Sequence, residues 1–267
     1  MSISDTELKL LTDLTGRFEN GSEPYLGVTG DFDGQGISCG VLQWNIGSGS
    51  LQPMVIAAGE ALVLAQMPQF GKEMWLACNS GIQQGLKIVR GWQSNSKLLA
   101  TQKAELRALM RSSAMHQLQD QGIREVARLA EAYADDWAQA RGGQGRTRQE
   151  LAFFFDIVTQ NGTMKGLGYS DVAAFKSAAG TDRADDLVCD WLSSLTSDSW
   201  GHKDADKNAD LWRNAAAGPE LDLLILAYLR SQKSVFPARG DVLNRKGTIA
   251  MRRGHVHGSL YDLSDLF

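Results

Sequence analysis

The sequence predicts an α+β fold that is mainly helical, with one small sheet near the N-terminus. Two observations carry that expectation. Apolar residues recur at three-to-four-residue spacing over most of the chain, and a glycine-rich stretch with strand-like segments interrupts that spacing directly after the first helical run. No internal repeat or low-complexity segment competes with a globular reading.

Each element follows from local signals. Ser4 followed by Glu7 matches a capping box, and Leu8, Leu10, Leu11, Leu14 and Phe18 follow at helical spacing, so a first helix should end near Phe18 or Glu19. "YLGVT" and "ISCGVLQW" read as two short strands joined by "GDFDGQG", in which Asp33-Gly34 is a turn signal. From about Leu51 the pattern is helical, through "AAGEALVLAQM", a long run from Ser96 to Ala140 that holds two helices or one bent helix, and "TRQELAFFFDIVTQ". "RGGQGR" at 141–146 breaks the pattern and is expected to connect two lobes of a single domain spanning 1–267. Helices are expected again in "SDVAAFKSA", "ADDLVCDWLSSLT", "DADKNADLWRNAA" and "PELDLLILAYLRSQ". The tail "DVLNRKGTIAMRRGHVHGSLYDL" alternates weakly and is expected to hold a short hairpin.

Composition narrows the function classes. With 267 residues, 43% hydrophobic and 22% charged, the chain can bury a substantial core in one large domain or two lobes. A net charge of -4 and a pI near 5.6 argue against a nucleic-acid binder, whose phosphate contacts need a basic face. Cys39, Cys78 and Cys189 are odd in number and lack CxxC spacing, so free, mostly buried thiols are expected. No apolar run is long enough to cross a bilayer, and "MSISDTELKLL" lacks the features of an export signal.

The chemistry concentrates between Gly16 and Met54, where acids, amides and glycines gather beside a single base, Arg17. Glu19 lies one helical turn past Thr15, near the side of Leu8 and Leu11, where partial shielding would raise its pKa and keep it protonated as a general acid. Asp33, in a turn with exposed backbone amides, would stay ionised. Two carboxyls held at different pKa values are what hydrolysis of a glycosidic bond uses. Asp31 and Asp33 would point to the same face of a strand, so the sequence does not separate them, and both are also ordinary turn formers.

The order of residues after Asp33 is more specific. "DGQGISCGVLQW" resembles the segment that carries the second catalytic acid in the family 46 chitosanases, members of the lysozyme-like superfamily, where the pattern is Asp-Gly-x-Gly-x-Thr-x-Gly, two aliphatics, any residue and an aromatic. Asp33, Gly34, Gly36, Gly40, Val41, Leu42 and Trp44 fit, Ser38 stands at the threonine, and Phe18-Glu19-Asn20 stands where the family has Ala-Glu-Asn. The resemblance implies a lysozyme-like two-lobed fold with the hairpin lining a cleft. It also implies that Glu19 protonates the leaving oxygen, Asp33 activates water and Ser38 helps hold that water. Inversion, the family's stereochemistry, needs carboxyls about 6.5–9.5 Å apart. Glu19 and Asp33 are fourteen positions apart, shorter than the family's interval, which leaves Asp31 as a rival base.

Gln43, Trp44, Asn45 and Gln52 are candidates for sugar contact, as are Gln160 and Asn161, which also suit a helix stop. Arg245 and Lys246 are candidates to contact an acidic substrate or brace the catalytic carboxylates, or else a solvated pair. His255 and His257, with Asp241 and Asp262 in range, lack a supporting motif, so neither a metal nor another cofactor is expected. The expected function is a lysozyme-like glycoside hydrolase cleaving β-1,4 bonds of peptidoglycan, because "LQWNIGSGSLQPM" resembles lysozyme-like domains of cell-wall hydrolases and interbacterial toxins. Chitosan is the alternative substrate, and a peptidoglycan-binding module without chemistry is the alternative class. The expected partner is thus a polysaccharide, with no nucleic acid and no membrane insertion. The place of action would be the periplasm or cell wall of a target cell, reached by a secretion machine, a phage structure or as part of a longer chain. The sequence names no delivery or immunity protein.

Overall fold

A computed structural model describes residues 3–19, 23–143, 145–180, 183–215 and 217–267, with Glu19 described by its backbone alone. The described residues form thirteen α-helices and three small antiparallel sheets, so the fold is mainly helical with minor β structure. They divide into two compact units, Ile3–Glu125 and Val126–Phe267. That division falls inside a long helix, α7 (Ser113–Ala140), whereas the described residues of 141–146 come after that helix has ended.

The first unit opens with α1 (Asp5–Glu19). Its capping box forms as the sequence indicates: Ser4 Oγ accepts the Glu7 N–H at 3.2 Å, and Glu7 Oε2 accepts the Ser4 N–H at 2.9 Å. Leu8, Leu11, Leu14 and Phe18 are buried on one side of it. The glycine-rich stretch then gives three two-residue strands where two longer ones were expected: β1 (Val28–Thr29), β2 (Ser38–Cys39) and β3 (Trp44–Asn45), hydrogen-bonded in that order. The second expected strand folds back on itself because Gly40 at φ 75° and Gln43 at φ 54° adopt left-handed backbone, which makes a tight turn between β2 and β3.

Helices α2 (Leu51–Ala58), α3 (Glu60–Gln66), α4 (Gly71–Asn79) and α5 (Ile82–Arg90) follow. The run "AAGEALVLAQM" is split at Gly59, whose φ of 88° ends α2. A hairpin that sequence reading did not anticipate, β4 (Gln93–Ser94) with β5 (Lys97–Leu98), turns through Asn95 and Ser96, both at positive φ. Helix α6 (Ala100–Arg111) leads into α7, which settles the long Ser96–Ala140 run as two helices. Ile37, Cys39, Ile46, Leu51, Val55, Met74, Val89 and Leu106 share one apolar core, so the sheet is fixed by packing as well as by its few ladder bonds.

The second unit holds α8 (Arg148–Asn161), α9 (Tyr169–Ala179), α10 (Ala184–Ser193), α11 (His202–Trp212), α12 (Gly218–Gln232) and α13 (Arg239–Ala250), then a hairpin of β6 (Arg253–Val256) and β7 (Ser259–Asp262). Thr147 and Glu150 cap α8 reciprocally. The expected tail hairpin is present in its second half, but its first half is the helix α13, buried from Val242 through Ala250. A helix surrounded on all sides has no polar stripe and therefore no amphipathic period to read. Gly247 lets it pack closely against Trp212, because a methyl group there would sit 2.4 Å from the indole. All three cysteines are free and buried, and burial pushes the Cys78 and Cys189 thiols up to about 12.

Candidate active site

The segment from Gly30 to Ile37 joins β1 to β2 and is held from below by α5 and β4. Asp31 is the centre of that hold. Its Oδ1 accepts the Gly36 N–H at 2.7 Å and its Oδ2 faces Arg90 Nε at 2.6 Å. Arg90 also donates to the Gly34 carbonyl at 3.0 Å. Gln93 completes the brace, accepting the Asp31 N–H at 2.7 Å and donating to the Gly36 carbonyl at 2.8 Å. Two glycines are required by close approach. A methyl on Gly30 would lie 2.2 Å from the Ser96 carbonyl oxygen, and one on Gly36, already at φ 86°, would press on Leu86 and Val89 at under 3 Å.

This bracing lifts Phe32, Asp33 and Gly34 into solvent. Asp33 Oδ1 accepts the Gln35 N–H at 3.1 Å, an Asx-type turn, while its Oδ2 has no partner among the described residues. Phe32 is 75% exposed beside it. The two acids that sequence left unresolved therefore occupy different environments. Asp31 has both oxygens committed to the loop's own structure, and Asp33 keeps one oxygen available.

Ser38, five residues on, is buried in β2, paired with Thr29 on one side and Asn45 on the other. Glu19 is the last residue of α1, and its side chain lies outside the described residues; Leu11 and Thr15, two turns and one turn earlier, are buried.

The amides proposed for sugar contact are mostly spent on local structure. Gln43 donates to the Gly40 carbonyl at 2.9 Å and accepts from Thr29 Oγ1 at 3.2 Å, which ties β1 to the tight turn. Asn45 Oδ1 accepts the Ser48 N–H at 2.8 Å, and its backbone N–H donates to Ser50 Oγ at 2.9 Å, so it shapes the approach to α2. Gln52 donates to the Ile46 carbonyl at 2.9 Å. Trp44 is half-buried with its ring against Gly122 of α7, where a methyl would approach to 2.7 Å.

Gln160 and Asn161 belong to the second unit, at the end of α8, with Gly162 at φ 78° as the stop. Gln160 accepts a hydrogen bond from Lys246 Nζ at 2.5 Å. Asn161 Oδ1 is buried without a partner, while its backbone carbonyl accepts from Arg230 at 3.1 Å. Beneath them lies a charged cluster whose members are each no more than 2% exposed: Asp156 accepts from Arg245 Nε at 2.6 Å and from Lys246 Nζ at 3.0 Å. Desolvation lowers the Lys246 pKa to about 8 despite the opposing pull of Asp156. Burial works to raise the Asp156 pKa, but the Arg245 and Lys246 charges outweigh it and hold that carboxyl below the usual range. Arg245 and Lys246 are thus a buried pair within the second unit and not a solvated one.

Sequence reasoning missed Phe32, Arg90, Gln93 and Asp156. An aromatic set between two aspartates in a turn was a visible signal for Phe32. The others act through partners dozens of positions away, for which no local pattern exists. No family model, curated protein or solved structure matches the chain.

Proposed function

We propose that the chain is a lysozyme-like glycoside hydrolase that cleaves β-1,4 bonds of peptidoglycan by a two-carboxylate mechanism. The observation that carries this reading is the braced loop: Asp31, Arg90 and Gln93 hold a turn whose apex presents Asp33 with one oxygen uncommitted, next to an exposed aromatic ring. A general base needs a free lone pair and a fixed position, and this construction supplies both. Asp33 takes a proton from the attacking water while Glu19 gives one to the departing glycosidic oxygen, so the bond breaks with no net change in protons on the enzyme pair. Ser38 helps hold the water, and Phe32 offers a face on which a sugar ring can stack.

Chitosan is the second reading of the substrate, favoured by the net charge of -4, which suits a cationic polymer better than an anionic wall. Incubating the protein with purified peptidoglycan and with chitosan, and weighing the soluble products by mass spectrometry, distinguishes the two. Muropeptides with a free reducing end support the first reading, and glucosamine oligomers support the second. Release of neither from an intact fold leaves a binding module without chemistry and overturns the hydrolase reading.

A further inference from the structure

The second unit carries a pocket of about 450 Å³ formed where the start of α11 meets the β6–β7 turn and the first turn of α13, lined by Trp200, His202, Asp204, Asp241 and His257. Its side chains are an unusual set. Trp200 is 62% exposed, although an indole is among the groups most readily buried. It is not exposed through looseness. The Trp200 backbone N–H donates to the Pro237 carbonyl at 3.0 Å, and the Gly201 carbonyl accepts from Asn244 Nδ2 at 2.8 Å. Gly201 sits at φ 75°, and Gly240 packs so tightly that a methyl on it would meet the Trp200 carbonyl oxygen at 2.7 Å. The ring is held out by a fixed backbone, with exposed Val235 and Phe236 on the neighbouring loop.

The polar wall is mixed in charge, with Asp204 and Asp241 beside Lys203, His202 and His257. Asp204 is 5% exposed; its Oδ2 accepts the Gly258 N–H at 2.8 Å, but its Oδ1 has neither solvent nor a donor. A buried carboxylate oxygen without a donor is costly, and because solvent does not reach Oδ1, a ligand donor meets it only when the Asp204 side chain turns toward the pocket. Asp241 faces His257 Nε2 at 3.2 Å, and His202 Nδ1 lies 3.2 Å from the Ser199 carbonyl. No three histidine, cysteine, aspartate or glutamate groups among the described residues converge as ligands for a metal.

We propose that this pocket binds one pyranose unit of a glycan, its apolar face on Trp200 and its hydroxyl or amino donors on Asp204 and Asp241. A pyranose is the ligand class whose two aspects match both walls, apolar across the ring face and rich in donors at its edge. The pocket would hold polymer without cutting it. It is built wholly from residues of the second unit and does not depend on the hydrolase reading, since a hydrolase and a binding module would both use it.

The test uses the full chain carrying Asp33→Asn, to suppress turnover, titrated calorimetrically with N-acetylglucosamine tetramer and with its deacetylated counterpart. Adding Trp200→Ala, an exposed change that should leave the melting temperature unaltered, is expected to weaken binding at this pocket at least tenfold. Any association made by the Asp33 loop would persist as a separate site of unchanged affinity. Asp204→Asn should produce a similar loss, larger for the deacetylated ligand if an ammonium is the donor and equal for both if hydroxyls are. Wild-type affinity for both ligands in folded Trp200→Ala, or no binding of either ligand to the parent, overturns the proposal. Hydrolysis by the Asp33→Asn parent would instead count against the catalytic assignment and leave the pocket standing.

Discussion

Two carboxylate–guanidinium pairs in this molecule have nearly identical geometry and opposite settings. Asp31 meets Arg90 at 2.6 Å with the arginine side chain 47% exposed, while Asp156 meets Arg245 at 2.6 Å with both side chains 2% exposed. The first pair shapes a loop at little thermodynamic cost because water solvates the arginine on its outer side. The second removes three charges from water, and its members are tolerable only together. Distance alone therefore says little about what an ion pair does. Its surroundings decide whether it tunes a surface or holds a core.

The contrast predicts very different losses when each pair is cut. Asp156→Asn should be the most damaging change, costing about 3–5 kcal/mol by removing the carboxylate that both Arg245 and Lys246 meet in the buried cluster. Urea unfolding followed by tryptophan fluorescence would measure it. Lys246→Met should cost far less in the same assay, because Arg245 still pairs with Asp156 and a buried cation has been replaced by an apolar chain. Acid should reproduce part of the first effect. Because the folded pKa of Asp156 is depressed, its stabilisation is present above the unfolded carboxylate range and is lost as pH falls through that range and below; Asp156→Asn should flatten that limb of the stability profile.

Gly36→Ala comes next, at roughly 1–3 kcal/mol, since it combines left-handed backbone with a methyl forced against Leu86 and Val89. A melting curve showing no change would mean that the loop yields freely. Arg90→Ala should barely register in stability, within about 1 kcal/mol. Its effect should fall on glycan turnover, as a lower kcat with KM little changed, because Asp33 loses its fixed position. Equal loss of stability and activity would make Arg90 a simple structural strut.

The same contrast explains what could be read from the sequence. Helices α1 and α8 were legible because their caps and apolar stripes lie within a few residues of each other. Helix α13 was not, because burial on every side removes the polar face that a periodicity argument needs, and its charges are neutralised by Asp156, 89 and 90 positions away. In the glycine-rich stretch, spacing placed Asp33 at the turn but left Asp31 equivalent to it. What separates the two acids is Arg90 and Gln93, 59 and 62 positions along the chain, which engage one of them and leave the other exposed. Gln43 and Asn45 had the right chemistry for sugar contact, yet their amides complete short turns whose geometry arises only when β1, β2 and β3 pair.

The central claim is that Asp33 activates the nucleophile and Asp31 builds the loop that presents it. Chemical rescue tests this most directly: Asp33→Ala and Asp31→Ala are each assayed on glycan with and without sodium azide, a small anion able to attack the anomeric carbon without a base. The account predicts that Asp33→Ala is slowed roughly 100- to 10,000-fold, that azide restores turnover with a glycosyl azide as product, and that Asp31→Ala is not rescued. Full activity in Asp33→Ala, or rescue in Asp31→Ala instead, would contradict it.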